Sequence, residues 1–378
     1  FIREGYRPGD RIGIWSTNRW EWTVVQYACH HIGLVLVNIN PAYRQHELNY
    51  VLEKAGVRMV FAARRYKDSD YRTMLIEASK QRGVRLDKVI YFGSSEWYEH
   101  MHSEIDDLSE YTSQLKPDDP INIQFTSGTT GFPKGATLTH RNLLNNGYFI
   151  GELLGYTETD RICVPVPFFH TFGMVIGTFA AFTHGAAIVI PAPSFKARET
   201  LKAVHSAKAT SLYGVPTMFI NELEEAHDQE EYGSPYDLSL LRTGVMAGTS
   251  CPSKTMRDVM DKLNMREIAI CYGMTETSPV SFQTRADSPL EKRVNTVGQI
   301  MPHLEARIIC EETGETLPRG EQGEVVVRGY SVMKEYWEHP EKTAEAIDAD
   351  GWMHTGDLGV LDDEGYPVSY THLTLPTT

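Results

Sequence analysis

Residues 126–135 read Thr-Ser-Gly-Thr-Thr-Gly-Phe-Pro-Lys-Gly. Glycines at 128, 131 and 135 allow positive φ and let backbone N–H groups approach a ligand closely. The hydroxyls of Thr126, Ser127, Thr129 and Thr130 add donors, and Lys134 adds a mobile cation. That combination makes a cradle for phosphate oxygens. The order differs from the P-loop of nucleoside triphosphatases, because Pro133 stands where a Gly-Lys pair would begin. A polar surface turn is the competing reading, and the density of Gly, Thr and Ser weighs against it.

Other groups suited to chemistry lie further along. Glu276, in Tyr272-Gly273-Met274-Thr275-Glu276-Thr277, offers a hard oxygen ligand; an exposed loop acid is its lesser, competing reading. Asp357, in His354-Thr355-Gly356-Asp357, offers a carboxylate acceptor in what is by itself a common turn triplet. His170 follows Pro167-Phe168-Phe169 and is either a hydrogen-bonded core histidine or a working imidazole.

The elements that must position these groups alternate. Strands are expected at 11–15, 34–38, 58–62, 88–92, 121–125, 162–166, 186–190, 210–213, 243–246 and 267–272. Helices are expected at 21–31, 71–80, 141–154, 196–206 and 252–263, the last with Thr249 or Ser250 as its cap. This pattern predicts an α/β protein built on open sheets, with the glycine-rich loop between a strand and a helix. Residues 174–193 read as a buried helix running into a buried strand, since Thr183, His184 and Gly185 break any membrane span. After Pro302 the texture turns β-rich, with strands at 305–309, 323–328 and 356–361 and one helix at 340–347. The expected division is an α/β body at 1–302, a small β-rich subdomain at 303–366 and a tail at 367–378 that is foreign to the fold. Residues 222–231 form an acidic run that reads as a solvated helix end.

Lys plus Arg number 36 against 50 Asp plus Glu, a formal charge of −14, which argues against nucleic-acid and anionic-membrane binding. Five scattered cysteines with no C-x-x-C indicate neither a zinc ribbon nor a disulfide framework and suggest a reducing, cytoplasmic compartment.

The segments at 126–135, 167–170, 272–277 and 354–357 together resemble, in order, the signatures of the AMP-forming adenylating enzymes. That superfamily includes acyl- and aryl-CoA synthetases, luciferases and peptide-synthetase adenylation domains. Residues 212–217 and 329–337 are most similar to its fatty acyl-CoA synthetases, the medium-chain ones in particular. The resemblance implies an ATP-dependent ligase whose co-substrates are ATP, CoA and a fatty acid of medium or long chain, with Mg²⁺ as metal. Thr126, Ser127, Gly128, Thr129, Thr130, Gly131 and Lys134 would then hold phosphates. Tyr272 would stack on adenine beside Gly248 and Thr249, and Thr275 would bond the α-phosphate. Glu276 and Thr126 would hold the metal, Asp357 the ribose hydroxyls, and His170 would gate or position the carboxylate. A homodimer stays open. Acyl transfer to a carrier-protein phosphopantetheine and non-catalytic nucleotide or acyl binding are the alternatives. After Tyr366 the family pattern stops, and Phe1 follows no leader, so a fragment lacking the mobile C-terminal domain is expected.

Overall fold

The structure, a computed structural model, describes residues 1–102, 104, 107–126 and 132–369. It divides into two compact units. The first comprises Phe1–Arg141, Phe168–His170 and Met333–Pro340; the second comprises Asn142–Pro167, Thr171–Val332 and Glu341–Thr378.

A seven-stranded sheet organises the first unit, in the order Glu335–Tyr336, Lys134–Thr139, Pro120–Thr126, Val35–Asn38, Arg11–Trp15, Met59–Ala62 and Lys88–Tyr91. The last five of these strands are parallel to one another, and helices Trp20–His31, Gln45–Lys54 and Tyr71–Ser79 connect four of them. A parallel strand can return only through such a crossover. Trp15, at the end of its strand, stacks on Tyr71 with ring centroids 3.5 Å apart. Both sit in a core completed by Leu48, Val51 and Leu52 from the Gln45–Lys54 helix.

Residues 134–139 depart from the expected order. They form a strand antiparallel to Pro120–Thr126, and the helix begins only afterwards, at His140. Threonines at 137 and 139 favour extended backbone, and Gly135 packs where a Cβ would come within 2.9 Å of Ile123. The described flanks of the glycine-rich segment, Thr126 and Lys134, are therefore paired antiparallel, and a strand, not a helix, follows it.

The second unit carries another seven-stranded sheet. Ala187–Val189, Arg161–Cys163, Ser211–Gly214, Thr243–Ala247 and Glu267–Gly273 are parallel, followed by antiparallel Val280–Gln283 and Gln299–Ile300. Helices Ala197–Ala207, Pro216–Tyr232 and Ser253–Lys262 cover one face through Leu201, Phe219, Met256 and Val259. Phe172–Phe179 winds as a π-helix, a rare form that is frequent at functional sites. A four-stranded antiparallel sheet follows: Leu304–Ile309, Gly323–Gly329, Met353–Leu361 and Pro367–Ser369. The expected foreign tail thus enters as a paired strand at 367–369; residues 370–378 lie outside the described residues.

Two local expectations fail. The Ser253–Lys262 helix starts after Pro252 with no side-chain cap bond, so neither Thr249 nor Ser250 caps it. Glu222 is not part of a solvated face: the helix begins at Pro216, and the period that buries Phe219 and Ala226 buries Glu222 completely. Among the described residues no helix is long and apolar enough to cross a membrane.

Candidate active site

In the first unit the hairpin sets Lys134. Its backbone pairs with Thr126, whose Oγ1 donates to the Lys134 carbonyl at 3.4 Å, closing the base of the loop. The Lys134 ammonium lies 4.3 Å over the ring of Tyr336, on the short strand that flanks the hairpin. Phe132 stacks on Tyr50 at 4.8 Å, and the Tyr50 hydroxyl donates to the Pro133 carbonyl at 3.1 Å. The descending arm is therefore fixed on both sides. Ser127, Gly128, Thr129, Thr130 and Gly131 lie outside the described residues.

His170 also belongs to this unit. Asn18 accepts the Phe168 N–H at 2.8 Å, and Asn38 donates to the Phe169 carbonyl at 3.2 Å, which pins the segment. Phe168 is buried, whereas His170 is exposed and its ring lies 4.1 Å from that of Phe169. That placement does not suit a core histidine and leaves the imidazole accessible.

The second unit gathers most of the remaining candidates. Tyr272 stands at the carboxyl end of the Glu267–Gly273 strand, where open α/β sheets hold their ligands. A bulge at Tyr272/Gly273 turns the chain there. Gly273 has φ 155°, and a Cβ on it would lie 1.8 Å from the Pro279 carbonyl oxygen, so only glycine fits. Asp357 is delivered by the Met353–Leu361 strand. The Tyr272 hydroxyl donates to Asp357 Oδ2 at 2.5 Å, while the Asp357 N–H donates to Thr355 Oγ1 at 3.1 Å. Burial, reinforced by the neighbouring carboxylate, pushes the Tyr272 phenol well above its ordinary range, so it remains a donor at neutral pH.

Both residues line a cavity of about 550 Å³ whose other walls include Gly248, Thr249, Ile270, Val294 and Thr296. Cys251, Ser253 and Asn295 also line it, and nothing in their sequence spacing points there. The Cys251 thiol, pushed up to about 12 by burial, stays protonated and donates to the carbonyls of Met246 and Thr249, both at 3.4 Å. Among the described residues Asp357 is the one acidic or basic side chain in the wall. A carboxylate acceptor beside apolar and small side chains suits a neutral heterocycle joined to a diol.

Thr275 and Glu276 lie on the 3₁₀ turn that follows, Thr275 half-buried and Glu276 only 5 % exposed. Thr277 braces the turn, accepting the Met274 N–H at 3.1 Å and donating to the Pro279 carbonyl at 2.9 Å. Among the described residues no three His, Cys, Asp or Glu side chains cluster as a protein-only metal site. A single carboxylate fits Mg²⁺, which takes one or two protein oxygens and completes its shell with phosphate and water.

Residues 1–337 match the AMP-binding enzyme family, and the chain belongs to that family. It is 42 % identical over 387 residues to YngI of Bacillus subtilis, provisionally named an acyl-CoA synthetase, covering 97 % of this chain and 69 % of that protein. With the mitochondrial medium-chain acyl-CoA ligase ACSF2 of Rattus norvegicus it shares 37 % identity over 394 residues, 96 % of this chain and 62 % of the relative. Among solved structures, ATP-bound MatB from Rhodopseudomonas palustris matches with a TM-score of 0.84 at 28 % identity, covering 97 % and 69 %. These relatives are longer than the present chain.

Proposed function

We propose that this chain is the nucleotide-binding body of an ATP-dependent, AMP-forming fatty acid–CoA ligase. The observation that carries the reading is the cavity in which the Tyr272 hydroxyl holds the Asp357 carboxylate. Asp357 accepts from the ribose hydroxyls, the Tyr272 ring lies along adenine, and Gly248 and Thr249 supply the opposite edge. Phosphates go to the 126–135 loop, where Lys134 and the hydroxyls of Thr126, Ser127, Thr129 and Thr130 offset their charge. Two anions must meet, a carboxylate and a triphosphate, so cations and oriented donors lower the barrier. Glu276 would hold the Mg²⁺ that neutralises phosphate oxygens. His170 positions the incoming carboxylate, and Thr275 bonds the α-phosphate.

The carboxylate oxygen attacks the α-phosphorus as the bond to pyrophosphate breaks. The CoA sulfur then attacks the acyl carbonyl, and AMP leaves with the bonding electrons. Converting an unreactive carboxylate into a mixed anhydride splits one difficult step into two. An aliphatic acid is favoured because no Lys or Arg occurs between Pro165 and His184, where Met174, Val175 and Ile176 are apolar and buried. Similarity to a relative named as a medium-chain acyl-CoA ligase supports the same class. Pyrophosphate release by the whole protein should be faster with octanoate to palmitate than with acetate, malonate or coumarate. A preference for an aromatic or dicarboxylic acid would refute the substrate class.

A further inference from the structure

The Met353–Leu361 strand that delivers Asp357 is not regular. Against its neighbour Gly323–Gly329, Leu358 pairs with Glu324 and His354 with Val326, so Thr355, Gly356 and Asp357 stand opposite Val325 alone. A bulge of this kind interrupts the ladder and re-aims a side chain, and its N–H groups need other acceptors.

Two side chains supply them. Glu324 Oε1 accepts the Gly356 N–H at 3.0 Å, and Glu324 Oε2 lies 2.8 Å from His354 Nδ1. Thr355 Oγ1 donates to the Val325 carbonyl at 2.6 Å and accepts the Asp357 N–H at 3.1 Å. One carboxylate therefore grips the residue before the bulge and the bulge's central residue, while Thr355 ties the last one back to the neighbouring strand. The Glu324 side chain is only 13 % exposed, which strengthens its bonds. No step of the proposed reaction uses Glu324, His354 or Thr355. Glu324 is not among the described residues that line the nucleotide cavity, so it reaches a ligand only through Asp357.

Resting on the reading above that Asp357 takes the ribose hydroxyls, we propose that Glu324 is a positioning residue for nucleoside recognition. It holds the 355–357 bulge so that the protein tells a ribose diol from a sugar without one. Thr355 completes the brace, and His354 orients the Glu324 carboxylate. Hydrogen bonds weaken steeply away from their preferred geometry, so a shift of about 1 Å at Asp357 is enough to lose a well-formed bond to the diol. Base contacts elsewhere in the cavity do not depend on the bulge, and that difference makes the role measurable.

The test is calorimetric titration of the 378-residue chain with adenosine and with 2′,3′-dideoxyadenosine. The unmodified chain should bind adenosine about tenfold or more tightly than the dideoxy compound. Glu324→Ala releases the bulge and should cut that ratio to about threefold or less, with dideoxyadenosine affinity unchanged within about twofold. Glu324→Gln keeps an acceptor oxygen for the Gly356 N–H and should restore most of the ratio. Thr355→Val removes the other half of the brace and should lower the same ratio, which keeps the test decisive if the alanine variant fails to fold. A ratio that the variants leave unaltered, an equal loss for both nucleosides, or a glutamine variant no better than alanine would overturn the proposal. Failure of the unmodified chain to prefer adenosine would overturn the ribose reading of Asp357 itself and this proposal with it.

Discussion

Glu222 offers a sharp test of the second unit's packing. Its side chain is fully buried on the inner face of the Pro216–Tyr232 helix, and neither carboxyl oxygen has a hydrogen-bond partner. Burial pushes the carboxyl well above its ordinary value of 4.5. Cys163, on the strand beneath, is likewise pushed up, by burial first and by the Glu222 charge second. A carboxyl whose folded pKa is raised contributes stability that is fully present below pH 4.5 and is lost as pH climbs through the raised value. While the folded state keeps the proton that the unfolded state has released, the loss is about 1.4 kcal/mol per pH unit. Glu222→Leu removes the unsatisfied oxygens, worth about 1–3 kcal/mol, and leaves a side chain suited to its neighbours Phe219 and Ala226. Urea unfolding of both proteins from about pH 5 to about pH 8 should show the variant's advantage widening as pH rises. Glu222→Gln should also flatten the slope, with a smaller gain because its amide stays unsatisfied. Parallel pH profiles, or a leucine variant less stable than the parent throughout, would refute the reasoning.

Two further outcomes follow from the same geometry. Burial raises the Asp160 carboxyl, but hydrogen bonds from Thr210, the Thr157 N–H and Arg242 outweigh it and hold the group below its ordinary value of 3.8. Its contribution is present above that value and lost as pH falls through the lowered one. Arg242→Met should cost about 2–3 kcal/mol at neutral pH, less than a fully buried pair because the Arg242 side chain is 35 % exposed, and should move acid unfolding to higher pH. Gly273→Ala forces a Cβ against the Pro279 carbonyl at 1.8 Å and should cost about 3 kcal/mol or more in thermal unfolding, with loss of nucleotide affinity as Tyr272 shifts.

Much of the sheet architecture was legible because parallel strands buried on both faces read as continuous apolar runs, as in residues 11–15 and 267–272. The hairpin strand Lys134–Thr139 was not, since its glycine and lysine mask an extended segment whose partners are Pro120–Thr126 and a short strand some two hundred residues on. Glu222 was misread because a run of acids obscures the apolar period of Phe219, Leu223 and Ala226. At the site, Tyr272 and Asp357 were found through resemblance to a family. Nothing local shows that residues so distant in the chain share a 2.5 Å hydrogen bond. Cys251, Ser253 and Asn295 carry no chemical signature of their own and enter the cavity wall only through the fold.

The central claim, that the cavity at Tyr272 and Asp357 takes the nucleoside while the Lys134 hairpin takes the phosphates, is tested most directly by calorimetry with ATP–Mg²⁺ and with adenosine. ATP should bind the unmodified chain, and Asp357→Asn should weaken both ligands by about tenfold or more, the worth of a charge-assisted hydrogen bond. Lys134→Ala should weaken ATP alone and leave adenosine unchanged. Absence of ATP binding, or equal effects of Lys134→Ala on the two ligands, would contradict the account.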